Sequence, residues 1–254
     1  MRFGDDNSLH WRRLRSRSPT ASCEVISVPE PSIRVPSLSV DELTSAITTY
    51  FGYSSNSPRH RSFDHCFNHF RTFATEQRTG ALMRAPHLET ACVHLGFYLA
   101  SWGMYRGSSR LLKHSADVLK PVVSVIAKAP QEVWAIDAGG YDEAVIDLIL
   151  ATARDIRTAF PGRASDTLVT KTMLGTFGCV PAFDSYFRRG FGVHTFNRSA
   201  LTRIDAFVSR NSDAIENART FTTDFSSGLP TANRYTAAKV VDMIFFVRGD
   251  GKLD

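Results

Sequence analysis

Apolar residues recur at three- and four-residue spacing from Ser39 onward, the period of a helix with one buried face. Ser39 and Glu42 have capping-box spacing ahead of Leu43, Ile47, Tyr50 and Phe51. A second helix is predicted from Ser62 to about Gln77, with Phe63, Phe67, Phe70 and Phe73 turned inward. A third runs from His87 to about Met104, its apolar face built from Leu88, Ala91, Leu95, Tyr98 and Leu99. Residues 107–129 read as one or two helices, interrupted near Ser115 and Pro121. Asp142 can cap a helix carrying Val145, Ile149, Ala153, Ile156 and Phe160, which Pro161-Gly162 ends. Ser165 or Asp166 can cap the next, to about Gly178, and Pro181 suits the first turn of another. Long helices are predicted at about 199–219 and 233–247.

No pair of alternating strands with a hairpin turn between them is visible, and no repeat period stands out. The count of about nine to eleven helices with short connections predicts an all-α protein. Residues 39–254 form its single domain, an arrangement that allows two lobes with a cleft between them. Residues 1–38 break the pattern. Trp11 stands among Arg12, Arg13, Arg15 and Arg17, and a Ser- and Pro-rich run follows. This reads as a flexible or extended basic arm, suited to a phosphate backbone or simply a poorly ordered terminus.

Composition narrows the picture. With 254 residues and 43% of them hydrophobic, the chain can bury a sizeable core. No stretch reaches a membrane span and the N-terminus lacks a signal-peptide core, so the expected location is the cytoplasm, away from membranes. Cys23, Cys66, Cys92 and Cys179 lie far apart without metal-knuckle or iron–sulfur spacing, and are expected as reduced structural thiols. A formal net charge of +5 favours anionic partners, nucleic acid foremost, though an ordinary basic enzyme also carries such a charge.

The stretch 164–192, ASDTLVTKTMLGTFGCVPAFDSYFRRGFG, is the most informative. It predicts a helix, a Gly-containing turn and a second helix with Asp184 in its first turn. A carboxylate there is stabilised by free backbone N–H groups and the helix dipole. It can serve chemistry, or it can merely satisfy backbone donors.

These residues resemble the core of the helix-hairpin-helix DNA glycosylases. The resemblance rests on Lys171-Thr172, an apolar helix, Val180-Pro181, Asp184, Arg188-Arg189 and Phe191-Gly192, roughly thirty residues in all. It implies a multi-helix bundle of that fold, with Asp184 in the place of the catalytic Asp. Lys171 matches the lysine that closes the hairpin. The chain departs from the family pattern in three ways. Asp166-Thr167-Leu168-Val169-Thr170 replaces the hairpin Gly-x-Gly, and Lys171 and Asp184 are only thirteen positions apart. No lysine precedes the hairpin, where the family's lyase lysine sits, and Arg163 is the nearest basic residue. A monofunctional enzyme follows from that last departure. The chain as a whole is also similar to bacterial phage-defence glycosylases that excise glucosylated hydroxymethylcytosine.

Breaking a base–sugar bond builds positive charge on the sugar, which a fixed carboxylate stabilises while orienting water. The base must first leave the stack, so a pocket is needed. Ser101 to Ser109 supplies candidates: Trp102 and Tyr105 for the base pocket, Arg106 for a phosphate, and Gly103 and Gly107 for close backbone approach. A helix-terminating turn with two buried aromatics is the plain alternative. His65 and His69, four apart on a helix, have metal spacing but no third ligand, so no metal is expected. Trp134 to Tyr141 forms a loop that lines a cleft or merely connects helices. Arg234, Lys239 and Asp242 share the last helix and can pair on a solvated face.

The expectation is therefore a monomeric DNA N-glycosylase without cofactor, binding double-stranded DNA, modified phage DNA included. Asp184 is its catalytic residue, Lys171, Arg188, Arg189 and Arg106 hold DNA, and Trp102 and Tyr105 form the base pocket. The alternatives are a non-catalytic helical DNA-binding or regulatory protein, and a helical enzyme or toxin acting on free nucleotides.

Overall fold

A computed structural model of the chain describes residues 34–52, 59–107 and 109–252. Most of the expected arm, with Trp11, its arginines and Cys23, lies outside the described residues, as does Ser108. Residues 34–254 form one compact unit. Among the described residues it is mostly helical, with a single two-stranded sheet.

The helices are α1 (Val40–Gly52), α2 (Arg61–Thr75), α3 (His87–Ser101), α4 (Lys120–Lys128) and α5 (Glu143–Ala159). They continue with α6 (Asp166–Thr176), α7 (Ser185–Phe191), α8 (Arg198–Arg210), α9 (Ser212–Ala218) and α10 (Ala237–Asp250). Their starts follow the side-chain chemistry of the caps. The Ser39 amide donates to Glu42 while the Ser39 hydroxyl accepts from the Glu42 amide at 3.2 Å, a reciprocal capping box. Asp142 caps α5 through the Val145 amide, and Ser165, not Asp166, caps α6 through Leu168.

The phenylalanines of α2 point inward as their spacing predicts: Phe63, Phe67, Phe70 and Phe73 are all buried. Each fully buried ring is worth roughly 1.5–3 kcal/mol relative to an exposed one. The centre of the unit belongs to α6 and α10, both buried on nearly every face: α10 is apolar around most of its circumference, whereas α6 buries Thr170, Thr172 and Thr176 by bonding their hydroxyls to its own carbonyls. α10 packs against α1, α7 and α9, while α6 packs against α2, α3 and α5.

Several expectations change. Residues 107–129 hold two short 3-10 turns, Arg110–Lys113 and Ala116–Leu119, before α4 begins. The predicted helix at 199–219 divides at Asn211 into α8 and α9. The last helix starts at Ala237, because β1 (Phe221–Thr223) and β2 (Pro230–Arg234) form an antiparallel hairpin ahead of it. That hairpin has no alternating apolar face. It is held by polar groups on α2 instead: the Thr223 amide donates to Asp64 at 3.0 Å, and Asn68 bonds Thr222, the Thr223 carbonyl and Asn233. Pro181 opens no helix; residues 181–183 are buried without regular secondary structure, and α7 begins only after Asp184.

Candidate active site

Asp184 is the N-cap of α7. One carboxylate oxygen, Oδ1, accepts the amides of Tyr186 at 3.1 Å and Phe187 at 3.0 Å. The other, Oδ2, accepts from Lys171 Nζ at 2.9 Å. The lysine is 3% exposed and the Asp184 side chain 13%, so this is a largely dry ion pair with one edge open. Ion pairs of this kind depend on having every donor and acceptor satisfied, because desolvation is costly.

The chain leading to Asp184 is fixed at each step. The Ala182 amide donates to Asp242 Oδ1 at 3.0 Å and the Phe183 amide to Thr170 Oγ1 at 2.8 Å. The Thr167 hydroxyl donates to the Phe183 carbonyl at 2.9 Å. α6 therefore supplies three residues in register, Thr167, Thr170 and Lys171, to hold 183–184. This i, i+3, i+4 spacing puts all three on one helix face. α7 is in turn seated on α10 with almost no space between backbones. A Cβ on Gly190 would overlap the Phe245 carbonyl, and one on Gly249 would overlap the Tyr186 carbonyl.

The open edge of the pair faces a cleft of about 410 Å³. Trp102, Tyr186 and Phe246 give it aromatic walls, and Arg59, Arg106 and the Asp250–Lys252 ion pair give it charge. Among the described residues neither arginine has a carboxylate within ion-pair distance. Trp102 is the pivot of the arrangement. Arg59 lies over its ring at 4.5 Å from the centroid, Lys171 at 5.2 Å and Lys239 at 5.5 Å. Three cations around one indole are attracted by its negative face and hold it in place.

Behind Trp102 lies a second lysine–aspartate pair. Lys239 Nζ donates to Asp242 Oδ2 and to the Tyr50 hydroxyl, both at 2.9 Å. Burial works against the Lys239 charge, yet Asp242, and Tyr50 after it, raise its pKa above the ordinary lysine value. At 2% exposure this is no solvated surface pair, which corrects the reading of the last helix. Arg234, placed with them by sequence, pairs with Glu216 instead.

The cleft thus collects five of the residues singled out from sequence: Asp184, Lys171, Trp102, Gly103 and Arg106. Lys171, expected along the DNA backbone, is buried and acts on Asp184. Tyr105 lies outside the cleft lining, its hydroxyl turned towards Gly96 of α3. Arg188 folds back on its own helix, donating to the Asp184 and His194 carbonyls at 3.4 and 3.3 Å. Arg189 is exposed beside the Tyr186 ring. The loop from Trp134 to Tyr141 lines a separate cleft of about 530 Å³ and also holds α10, since Asp137 accepts the Ala237 and Ala238 amides at its start. His69 stacks on His94 at 4.5 Å, and the described residues contain no group of three or more side chains suited to a metal. Nor does any described helix have the length and apolarity to cross a membrane.

Arg59, Tyr186 and Phe246 escaped sequence reading, and Tyr50 was legible only as part of the apolar face of the first helix. Of the first three, only Arg59 had a legible signal, its place in the basic run Arg59-His60-Arg61. Comparison with models of known protein families, with curated proteins and with solved structures finds no match.

Proposed function

We propose that the protein is a monofunctional DNA N-glycosylase that removes a modified base, with Asp184 as its catalytic carboxylate. The observation that carries the reading is one carboxylate, Asp184, held by two amides and an ammonium at the edge of a cleft with aromatic walls and two arginines that have no carboxylate partner among the described residues. Such a carboxylate is preorganised: its geometry is set before any substrate enters, so it can stabilise a sugar cation without reorganising. Trp102 offers a stacking surface for an extruded base once Arg59 moves from its ring to a flanking phosphate, and Arg106 suits a second phosphate.

Modified phage DNA is the proposed substrate, glucosylated hydroxymethylcytosine in particular. The cleft volume supports this by leaving space beside a pyrimidine ring for a sugar substituent. One observation favours a second reading, a DNA-binding protein in which Asp184 is only a cap. Both carboxylate oxygens already have protein partners, which a purely structural pair also requires.

Asp184→Asn combined with Lys171→Met separates the two, since an asparagine still caps α7 and the second change leaves no buried ammonium facing its NH2 group. Wild-type protein is expected to leave abasic sites in DNA carrying glucosylated hydroxymethylcytosine and not in plain cytosine DNA. The variant should bind that DNA equally well and lose roughly 10²–10³-fold in base release, the usual scale for one preorganised group. Full activity in the variant removes Asp184 from the chemistry. Binding without base release by the wild type on every DNA tried establishes the second reading.

A further inference from the structure

We propose that the buried Lys239–Asp242 pair of α10 is a positioning pair for Asp184, acting through the Ala182 amide. The inference takes Asp184 as the working carboxylate, and so rests on the proposed function for its purpose though not for its geometry. Asp242 divides its carboxylate between two tasks. Oδ1 accepts the Ala182 amide, two residues before Asp184, and Oδ2 accepts the Lys239 ammonium. The ammonium is itself anchored by the Tyr50 hydroxyl, so the carboxylate cannot turn without breaking a charged hydrogen bond.

The Ala182 amide needs an oxygen held in one place. Asp242 supplies that oxygen, and Lys239 neutralises the charge that comes with it in a buried setting. What the pair directs is a buried segment without regular secondary structure. The Ala182 and Phe183 amides make no helix or sheet bond, so side chains fix them. The Ala182 tether comes from α10, whereas the Phe183 and Asp184 tethers come from α6. Asp184 is thus defined from two helices at once, and the α10 tether sets how far its carboxylate reaches into the cleft.

The test separates tether from charge. Asp242→Ala alone would strand a buried ammonium and risk unfolding, so both variants carry Lys239→Met. The pair K239M/D242N keeps an oxygen for the Ala182 amide, and K239M/D242A removes it. Amide hydrogen exchange is read by NMR at Tyr186 and Phe187, the two donors to Asp184. At least tenfold faster exchange at both is expected in K239M/D242A, and exchange within threefold of wild type in K239M/D242N. Equal exchange in the two variants overturns the proposal. Should K239M/D242A fail to fold, K239M/D242N decides alone: exchange tenfold faster than wild type at those amides overturns it. In base release, the Ala variant is expected to lose at least tenfold in kcat with KM within threefold, and the Asn variant to recover most of it. An exchange result as expected from a protein that releases no base leaves the positioning pair standing and removes the enzymatic reading. Base release with unaltered exchange does the reverse.

Discussion

Asp64 is 1% exposed on α2, where it accepts from Tyr235 Oη at 2.7 Å and from the Thr223 amide. Burial raises its pKa to about 6, against the hydrogen bonds, which lower it. A carboxyl whose folded pKa lies above its unfolded value binds more protons when folded, so its contribution is complete below about pH 4. That contribution is lost as pH rises through 6. The shift corresponds to about 3 kcal/mol. His60 and His69 work in the opposite sense: burial first, then neighbouring cations, lower both to about 4, so their contribution is present above about pH 6.5 and fades as pH falls towards 4. Total stability therefore hides the Asp64 effect, and the variant reveals it. The stability of Asp64→Asn relative to wild type, from urea denaturation, is expected to rise by about 2–3 kcal/mol between pH 4 and pH 7. A difference constant with pH would rule out the assignment.

At the scale of elements, the α7–α10 contact decides whether the site exists. Two glycines, Gly190 and Gly249, let the helices meet backbone to backbone, and each lies where a methyl group would overlap a carbonyl oxygen. An added methyl cannot be absorbed by a side-chain rotation, because the obstacle is main chain. Gly249→Ala should push α7 off α10 and cost at least about 1–3 kcal/mol, the usual range for overpacking. The helix propensity of alanine favours the variant by roughly 1 kcal/mol, so a net loss is evidence of the clash. Thermal unfolding of the variant checks this, and an unchanged or raised Tm would mean that the two helices can separate freely. The same contact explains why the α7 region alone could not be read with confidence of place: seven residues of helix are oriented by a partner more than forty residues away.

For the whole molecule, the net charge of +5 matters less than its placement. Two arginines without acidic partners among the described residues flank the cleft beside the Asp250–Lys252 pair, while Lys171 and Lys239 are neutralised by aspartates inside. Under the proposed function the two arginines meet phosphates, and each phosphate contact releases bound counterions. Arg59→Ala/Arg106→Ala should weaken binding to double-stranded DNA and flatten the plot of log affinity against log salt by about two units, roughly one per contact. A slope equal to that of the wild type would place DNA, if bound, on another face.

The sequence by itself determined which segments are helical wherever capping chemistry and apolar period agreed, as from Ser39, Asp142 and Ser165. It also marked Asp184, Lys171, Trp102 and Arg106, since their local surroundings already suit charge, stacking or close approach. Three things needed the fold. The β-hairpin is held by Asp64 and Asn68, more than 150 positions away, and carries no periodic signal of its own. Lys239 and Asp242 read as surface residues until α10 proved to be the central helix, apolar around most of its circumference and so silent in periodicity. Tyr105 and Trp102 are three residues apart on one turn, yet only one faces the cleft, because direction around a turn is set by what packs against it. Local chemistry writes elements and candidate residues into the chain, but which of those residues share a cleft is a property of contacts between distant segments.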